Sequence, residues 1–308
     1  YVRVRILLPL PKPEHPMMLG LFLLPFTQER KEEIIMGKRE QQPERKRGSI
    51  SALLRWIAMV VCVIVMICCG VYLVRLAVES HTIKEETQGA AEQYVQPISS
   101  ADTTDPAAES SSEGENTAPV TVDFASLQTA CPDAVGWIRV SGIDAIDYPV
   151  VHYTDDSYYL NHSWDGQSSR YGAIFVETAN SGDFSDCHTL IYGHNMKDGS
   201  MFGGLKKYRD PSFYEEHGGT ITLCLPGETR MYQIFSVHIA EADDEGVYTI
   251  GFAHDEGFGG FLEALKQRSI YDTGVSVSAQ DNVITLSTCS GEERLVIHAK
   301  QISSIPTA

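Results

Sequence analysis

One cysteine in this sequence stands where a thiol could act as a nucleophile. Cys289 closes the run V-I-T-L-S-T-C at 283–289, whose β-branched residues predict a strand that ends at the sulfur. A four-residue connection, Ser290–Glu293, leads to a second strand opening at Arg294. In a hairpin closed by such a loop, positions 289 and 294 oppose each other on one face, with Cβ atoms about 5 Å apart. A guanidinium placed there favours thiolate over thiol and can hydrogen-bond an oxygen that turns negative during acyl transfer. An exposed pairing of Arg294 with Glu292 or Glu293 is the competing reading.

Acyl transfer by a thiol also needs a proton shuttle for the leaving amine, and imidazole suits that task near neutral pH. Of ten histidines, His194 follows the apolar run T-L-I-Y-G and precedes the turn-rich N-M-K-D-G-S, so it sits at a strand end where a cleft can form. His188, His238 and His298 lie within or beside strand runs that lack such an exit. Of seven cysteines, Cys62, Cys68 and Cys69 fall in a long apolar run, while Cys131, Cys187, Cys224 and Cys289 lie downstream. Those four could instead form two disulfides, with Cys289 joined to Cys224 or Cys187. No CxxC or Cys/His ligand spacing is present, so zinc is not expected, and the reading assigns no other metal and no cofactor.

The elements that must position these residues read as β-strands. Short β-type runs appear at Gly136–Val140, Ile146–Val151, Ala173–Glu177, Thr189–Gly193, Thr220–Leu225, Met231–Ile239, Val283–Cys289 and Arg294–Ile302. Eight such runs suggest a barrel or a sandwich. Asp123 can cap a short helix through Ala130. Phe258, Phe261, Leu262 and Leu265 follow i, i+3, i+4, i+7 spacing and predict an amphipathic helix lying on the sheet.

Upstream, residues 56–74 form a 19-residue run without a charge, long enough for a transmembrane helix. Its amino-terminal flank carries Lys38, Arg39, Arg45, Lys46, Arg47 and Arg55, against only Arg75 and Lys84 just after it. Basic flanks stay in the cytoplasm, which puts the long carboxy-terminal part outside. Residues 1–55 then form a basic cytoplasmic segment, within which 1–35 could be an upstream extension of the gene product, with Met36 the start. Residues 75–119 read as a disordered acidic spacer, because its Ser, Thr, Glu, Ala and Pro cannot bury enough surface to fold. Residues 120–308 form the extracellular domain. The formal charge of −17 on 308 residues speaks against a general nucleic-acid binder. The composition, 43% apolar and 21% charged, fits a globular chain.

Taken together, Y-G-H-N-M-K-D-G-S-M-F at 192–202, T-L-S-T-C at 285–289 and Arg294 before L-V-I-H-A-K strongly resemble a sortase of class B. V-G-W-I at 135–138, D-Y-P-V-V at 147–151, Y-Y-L-N-H at 158–162 and the helix near 258–267 support the match, which covers roughly Asp123 to Ile302. The resemblance implies a mainly β fold: an eight-stranded β-barrel with a few peripheral helices behind a single transmembrane helix. It implies that Cys289 attacks the Thr carbonyl of a sorting signal on a surface protein (LPxTG or an NPxTN-like variant), forming a thioester. His194 then protonates the leaving amine, Arg294 acts as oxyanion or substrate clamp, and Thr288 adds a donor. Tyr192, Leu160, Asn161 and Ser287 are expected to line the substrate groove. The acceptor would be an amine of a peptidoglycan precursor or a pilin, at the membrane of a Gram-positive cell. Two other readings share part of this pattern: a secreted cysteine peptidase that only hydrolyses, and a non-catalytic surface adhesin with Cys289 in a disulfide.

Overall fold

The structure, a computed structural model, describes residues 2–3, 48–97, 120–289 and 293–307. The chain divides into two units, Leu10–Ser80 and His81–Ala308 with Tyr1–Pro9. The described part of the first unit belongs to helix α1 (Gly48–Tyr94), whose stretch Leu54–Arg75 is long and apolar enough to cross a membrane. Its side chains are exposed rather than packed in a protein core, and residues 56–74 carry no charge. The proposed start at Met36 and most of residues 1–35 fall outside the described residues.

The second unit is built around a closed eight-stranded barrel. Its strands are β1 (Ala134–Val140), β2 (Ile143–His152), β3 (Ile174–Val176), β4 (His188–His194), β5 (Thr220–Leu225), β6 (Glu228–Glu241), β7 (Val283–Cys289) and β8 (Glu293–Pro306). Around the barrel they run β7-β8-β6-β5-β1-β2-β3-β4, and a parallel β4–β7 ladder closes the ring. Each expected strand is present, and the choice between barrel and sandwich falls to the barrel. One set of alternating residues, among them Ile138, Val150, Ile191, Leu223, Ile234, Leu286 and Ile297, fills the interior. The opposite faces of β4 and β7 are covered as well, and burial on both sides explains their nearly continuous apolar sequences.

Short helices provide that cover. Asp123 caps α2 (Phe124–Ala130) by accepting from the Ser126 backbone NH, as its position before an apolar run predicts. Between β6 and β7 come α4 (Glu245–Tyr248), capped by Asp244, and α5 (Glu256–Gln267), capped by Asp255. The amphipathic spacing read from the sequence is realised in α5: Phe258, Leu262 and Leu265 are fully buried. Each such side chain contributes about 1.5–3 kcal/mol on burial. A further helix, α3 (Pro211–His217), lies between β4 and β5 in the chain.

The spacer is where the sequence reading needs correction. Residues 75–94 continue α1, and Val95–Pro97 pairs antiparallel with Val120–Val122. Ala90 and Tyr94 are buried in the outer core, and the Tyr94 ring meets Trp164 edge-on at 6.1 Å. The expected disorder over 75–97 is therefore absent, while 98–119 lie outside the described residues. The cause is legible afterwards: Glu, Lys, Gln and Ala are good helix formers, no proline interrupts the chain before Pro97, and Ala90 and Tyr94 share a face at i, i+4.

Candidate active site

Strand β7 carries the sulfur and stands between the two strands that carry its neighbours. In the parallel ladder with β4, Cys289 and His194 are Cα partners, so both side chains leave one face at the carboxyl ends of adjacent strands. On the other side, the antiparallel ladder with β8 pairs Ser287 with Val296, a register that brings position 289 across from 294. His194, Cys289 and Arg294 thus occupy three consecutive strands, β4, β7 and β8. The hairpin half of this arrangement is the register expected from the loop length. Arg294 is 1% exposed, so an exposed pairing with Glu293 does not form, and Glu292 lies outside the described residues.

The thiol is half-buried, and loss of solvent pushes its pKa up to about 11, against the pull of the Arg294 charge and a Gly193 backbone hydrogen bond. Arg294 lies over the Tyr248 ring, 6.0 Å from its centroid, and its buried Nε has no hydrogen-bond partner among the described residues. An unpaired buried guanidinium NH is costly to keep, and a ligand oxygen would relieve that cost. The His194 ring presents both nitrogens to backbone carbonyls: Nε2 lies 2.8 Å from Leu160 O, and Nδ1 lies 3.4 Å from Cys289 O. A neutral ring donates to one of them; a protonated ring donates to both.

Glycines make this crowding feasible. A Cβ on Gly193 would come within 2.5 Å of Ile174 and 2.8 Å of Phe202, so glycine lets the interior side chains pack directly against β4 just before His194. Gly172 has φ +61°, and a Cβ there would meet the Tyr159 and Leu160 carbonyls at 2.6 and 3.0 Å and the His194 ring at 3.1 Å. Its neighbour Ala173 donates to Tyr159 O, pinning the 3₁₀ turn Tyr158–Leu160 against the end of β4.

The other expected groove residues divide. Leu160 is brought to the site through its carbonyl, and Asn161 follows it with an exposed side chain. Tyr192 and Ser287, Cα partners one step back from His194 and Cys289, are buried beneath the site rather than lining an open groove. The Ser287 hydroxyl hydrogen-bonds the Tyr248 hydroxyl at 2.9 Å. Thr288 turns away: strand alternation sends its side chain to the other face of β7, where its hydroxyl accepts from the Leu295 NH. Tyr248, which touches both Ser287 and Arg294, had no signal in the sequence, because D-D-E-G-V-Y between two strands reads only as a turn. All seven cysteines are free, so the two-disulfide expectation is corrected and the adhesin reading loses its staple.

A sortase-domain family profile matches residues 138–302. The chain belongs to the sortase family. Sortase B of Listeria monocytogenes is 37% identical over 188 residues, covering 59% of this chain and 74% of that protein. Sortase B of Staphylococcus aureus is 33% identical over 184 residues, covering 58% and 74%. Among solved structures, sortase B from B. anthracis in complex with AAEK1 superposes with a TM-score of 0.59 at 31% identity, over 74% of this chain and 98% of that one. A Staphylococcus aureus sortase B–substrate complex gives a TM-score of 0.55 at 32% identity, over 58% and 84%. The class B resemblance drawn from the motifs holds, and with it a cysteine transpeptidase activity on an eight-stranded barrel. Sortases as a family take a sorting-signal peptide and an amine acceptor.

Proposed function

We propose that this sortase cleaves an LPxTG- or NPxTN-like sorting signal of a surface protein with Cys289 as nucleophile, His194 as proton shuttle and Arg294 as oxyanion or substrate clamp. The observation that supports this most is the three-strand register that sets the sulfur between an imidazole and a buried guanidinium with a free NH. Because burial favours the thiol, its proton has to leave during attack, and His194 needs only to swing from the Leu160 carbonyl to take it. The sulfur bonds to the Thr carbonyl carbon while Arg294 Nε–H steadies the oxygen. The C–N bond then breaks, and His194 returns the proton to the departing amine, leaving a thioester. The incoming amine of a peptidoglycan precursor or pilin attacks that thioester, His194 accepts its proton, and Cys289 leaves as the thiol. Positioning the amine in the groove gives it a high effective concentration over water. Leu160 and Asn161 border the entry to the site; Tyr192 and Ser287 shape its floor.

The same reading anchors the protein in the membrane through residues 56–74, within the apolar stretch Leu54–Arg75, with residues 1–55 cytoplasmic and the barrel outside a Gram-positive cell. The experiment is mass spectrometry of the full chain incubated with a panel of sorting-signal peptides, with and without an amine. A thioester adduct on Cys289, absent in Cys289→Ala, and an amine-dependent transfer product are expected. Release of free acid regardless of amine would make the protein a hydrolytic peptidase instead.

A further inference from the structure

Beneath the groove lies a carboxyl that the mechanism above does not use. Glu177 follows β3 directly and is 2% exposed. Its Oε2 accepts from the Tyr192 hydroxyl at 3.0 Å. Its carboxyl also meets Asp156, whose Oδ1 is held by the Thr178 NH at 2.8 Å and the Thr178 hydroxyl at 2.7 Å. The remaining contact of the Glu177 carboxyl is a backbone hydrogen bond from Ala179. The ionisable groups on the adjoining segments have partners of their own: His152 on β2 lies against the Thr178 carbonyl, and Asp186 accepts from Asn180 and Ser181. Glu177 therefore shares a buried site with a second carboxyl and a phenol, with no cation touching it among the contacts described.

Two carboxyls in contact without a cation are most stable with one proton between them. If Glu177 keeps that proton, it donates to Asp156 while its other oxygen accepts from Tyr192, and every atom of the set is satisfied. Burial, followed by the charge of Asp156, pushes Glu177 up to about 8. Tyr192 links this set to the chemistry. It lies two residues before His194, is the Cα partner of Ser287 and feels the charges of both Glu177 and Cys289. Its ring stacks 6.4 Å from Tyr248, which in turn carries Arg294.

Resting on the function proposed above, we infer that Glu177 is a positioning residue: sharing one proton with Asp156 and bonded to Tyr192, it keeps a second negative charge from the floor under Cys289 and His194, and its ionisation holds back thiolate formation at alkaline pH. At an effective dielectric near 20, a negative charge about 10 Å from a thiol disfavours its thiolate roughly tenfold.

Glu177→Gln keeps an acceptor for Tyr192 and a donor for Asp156 and cannot ionise. In the full chain in detergent, iodoacetamide labelling of Cys289, read by peptide mass spectrometry, should match wild type at pH 7 and exceed it about tenfold at pH 9. Between pH 7 and 9 kcat/KM for peptide transfer should climb about tenfold more in the same variant than in wild type, with KM at pH 7 unchanged. Equal labelling of the two proteins at both pH values would overturn the inference. Should Glu177→Gln fail to fold, infrared spectroscopy of wild type decides: a neutral carboxyl band that disappears between pH 7 and 9 is expected, and its absence at pH 7 refutes the idea. Labelling that differs as expected in a protein that transfers no peptide would leave Glu177 in its role and remove the proposed transpeptidation.

Discussion

Replacing Arg294 by Met tests whether the guanidinium acts on the sulfur at all. The side chain is 1% exposed and stands across a hairpin from Cys289, where cross-strand groups lie about 5.5 Å apart. At an effective dielectric near 20, a positive charge at that distance stabilises a thiolate by about 3 kcal/mol, or about 2 pH units. The thiol already sits at about 11 with the arginine present, so in Arg294→Met it moves higher still. At pH 8 the thiolate population, and with it the rate of iodoacetamide labelling, should fall about 100-fold. Peptide-resolved mass spectrometry separates Cys289 from the other six cysteines, and buried Cys131, Cys187 and Cys224 serve as internal references. The variant should melt no lower than wild type, because methionine removes a buried charge whose Nε lacks a partner among the described residues. Arg294→Lys adds a second arm: it keeps the charge but loses the planar fork, so labelling recovers while peptide turnover does not. Labelling of Arg294→Met within threefold of wild type, in a folded protein, would refute the electrostatic role.

Two further outcomes follow from the packing. Gly172→Ala places a Cβ 2.6 Å from the Tyr159 carbonyl at a positive φ, so it should cost at least about 1–3 kcal/mol in thermal unfolding. It should also displace the Leu160 carbonyl from His194, visible as a shift of the His194 ring signals in NMR; an unchanged melt and ring signal would contradict the account. Under α5 a buried chain links His188 Nε2 to the Thr285 hydroxyl and that hydroxyl to His298 Nδ1, each at 2.7 Å, with His238 stacked on His298 at 5.0 Å. Burial lowers His188 and His238 to about 4 and holds His298 well below the ordinary imidazole value, so below pH 6.5 the unfolded chain binds protons that the folded one refuses. Their effect is thus a loss of stability as pH falls from about 6.5 to 4, about 1.4 kcal/mol per pH unit for each histidine at the steepest. Glu177 and Asp147, raised by burial, work in the opposite sense across that window and blunt the slope. His238→Gln should therefore flatten the acid side of the unfolding free energy against pH by about one histidine's share, and an unaltered slope would contradict the assignment.

Much of the site was legible because its determinants are local. A β-branched run ending in cysteine, a short loop and an arginine define a hairpin register within a dozen residues, so positions 289 and 294 face each other by geometry alone. The apolar run at 56–74 required only length and absence of charge, and Leu54–Arg75 of α1 agrees with it. The eight strands likewise declared themselves through residue type and turn punctuation, and the amphipathic α5 through its spacing. The spacer misled because composition averaged over 75–119 blended a helix-forming stretch with the Ser- and Pro-rich one behind it.

What tertiary structure alone decided is long-range. His194 reaches Cys289 through a parallel ladder between strands that most of the second half of the domain separates, and no local pattern fixes the partner or register of such a pairing. The Leu160 carbonyl on His194, Tyr248 beneath Arg294 and Glu177 under Tyr192 all come from connections between strands, whose paths depend on what the closed barrel leaves room for. The sequence therefore pointed to the candidate reactive groups and the hairpin that holds two of them. Closure of the barrel supplied the third and the buried polar floor, because contacts between distant segments are set by packing rather than by neighbouring residues.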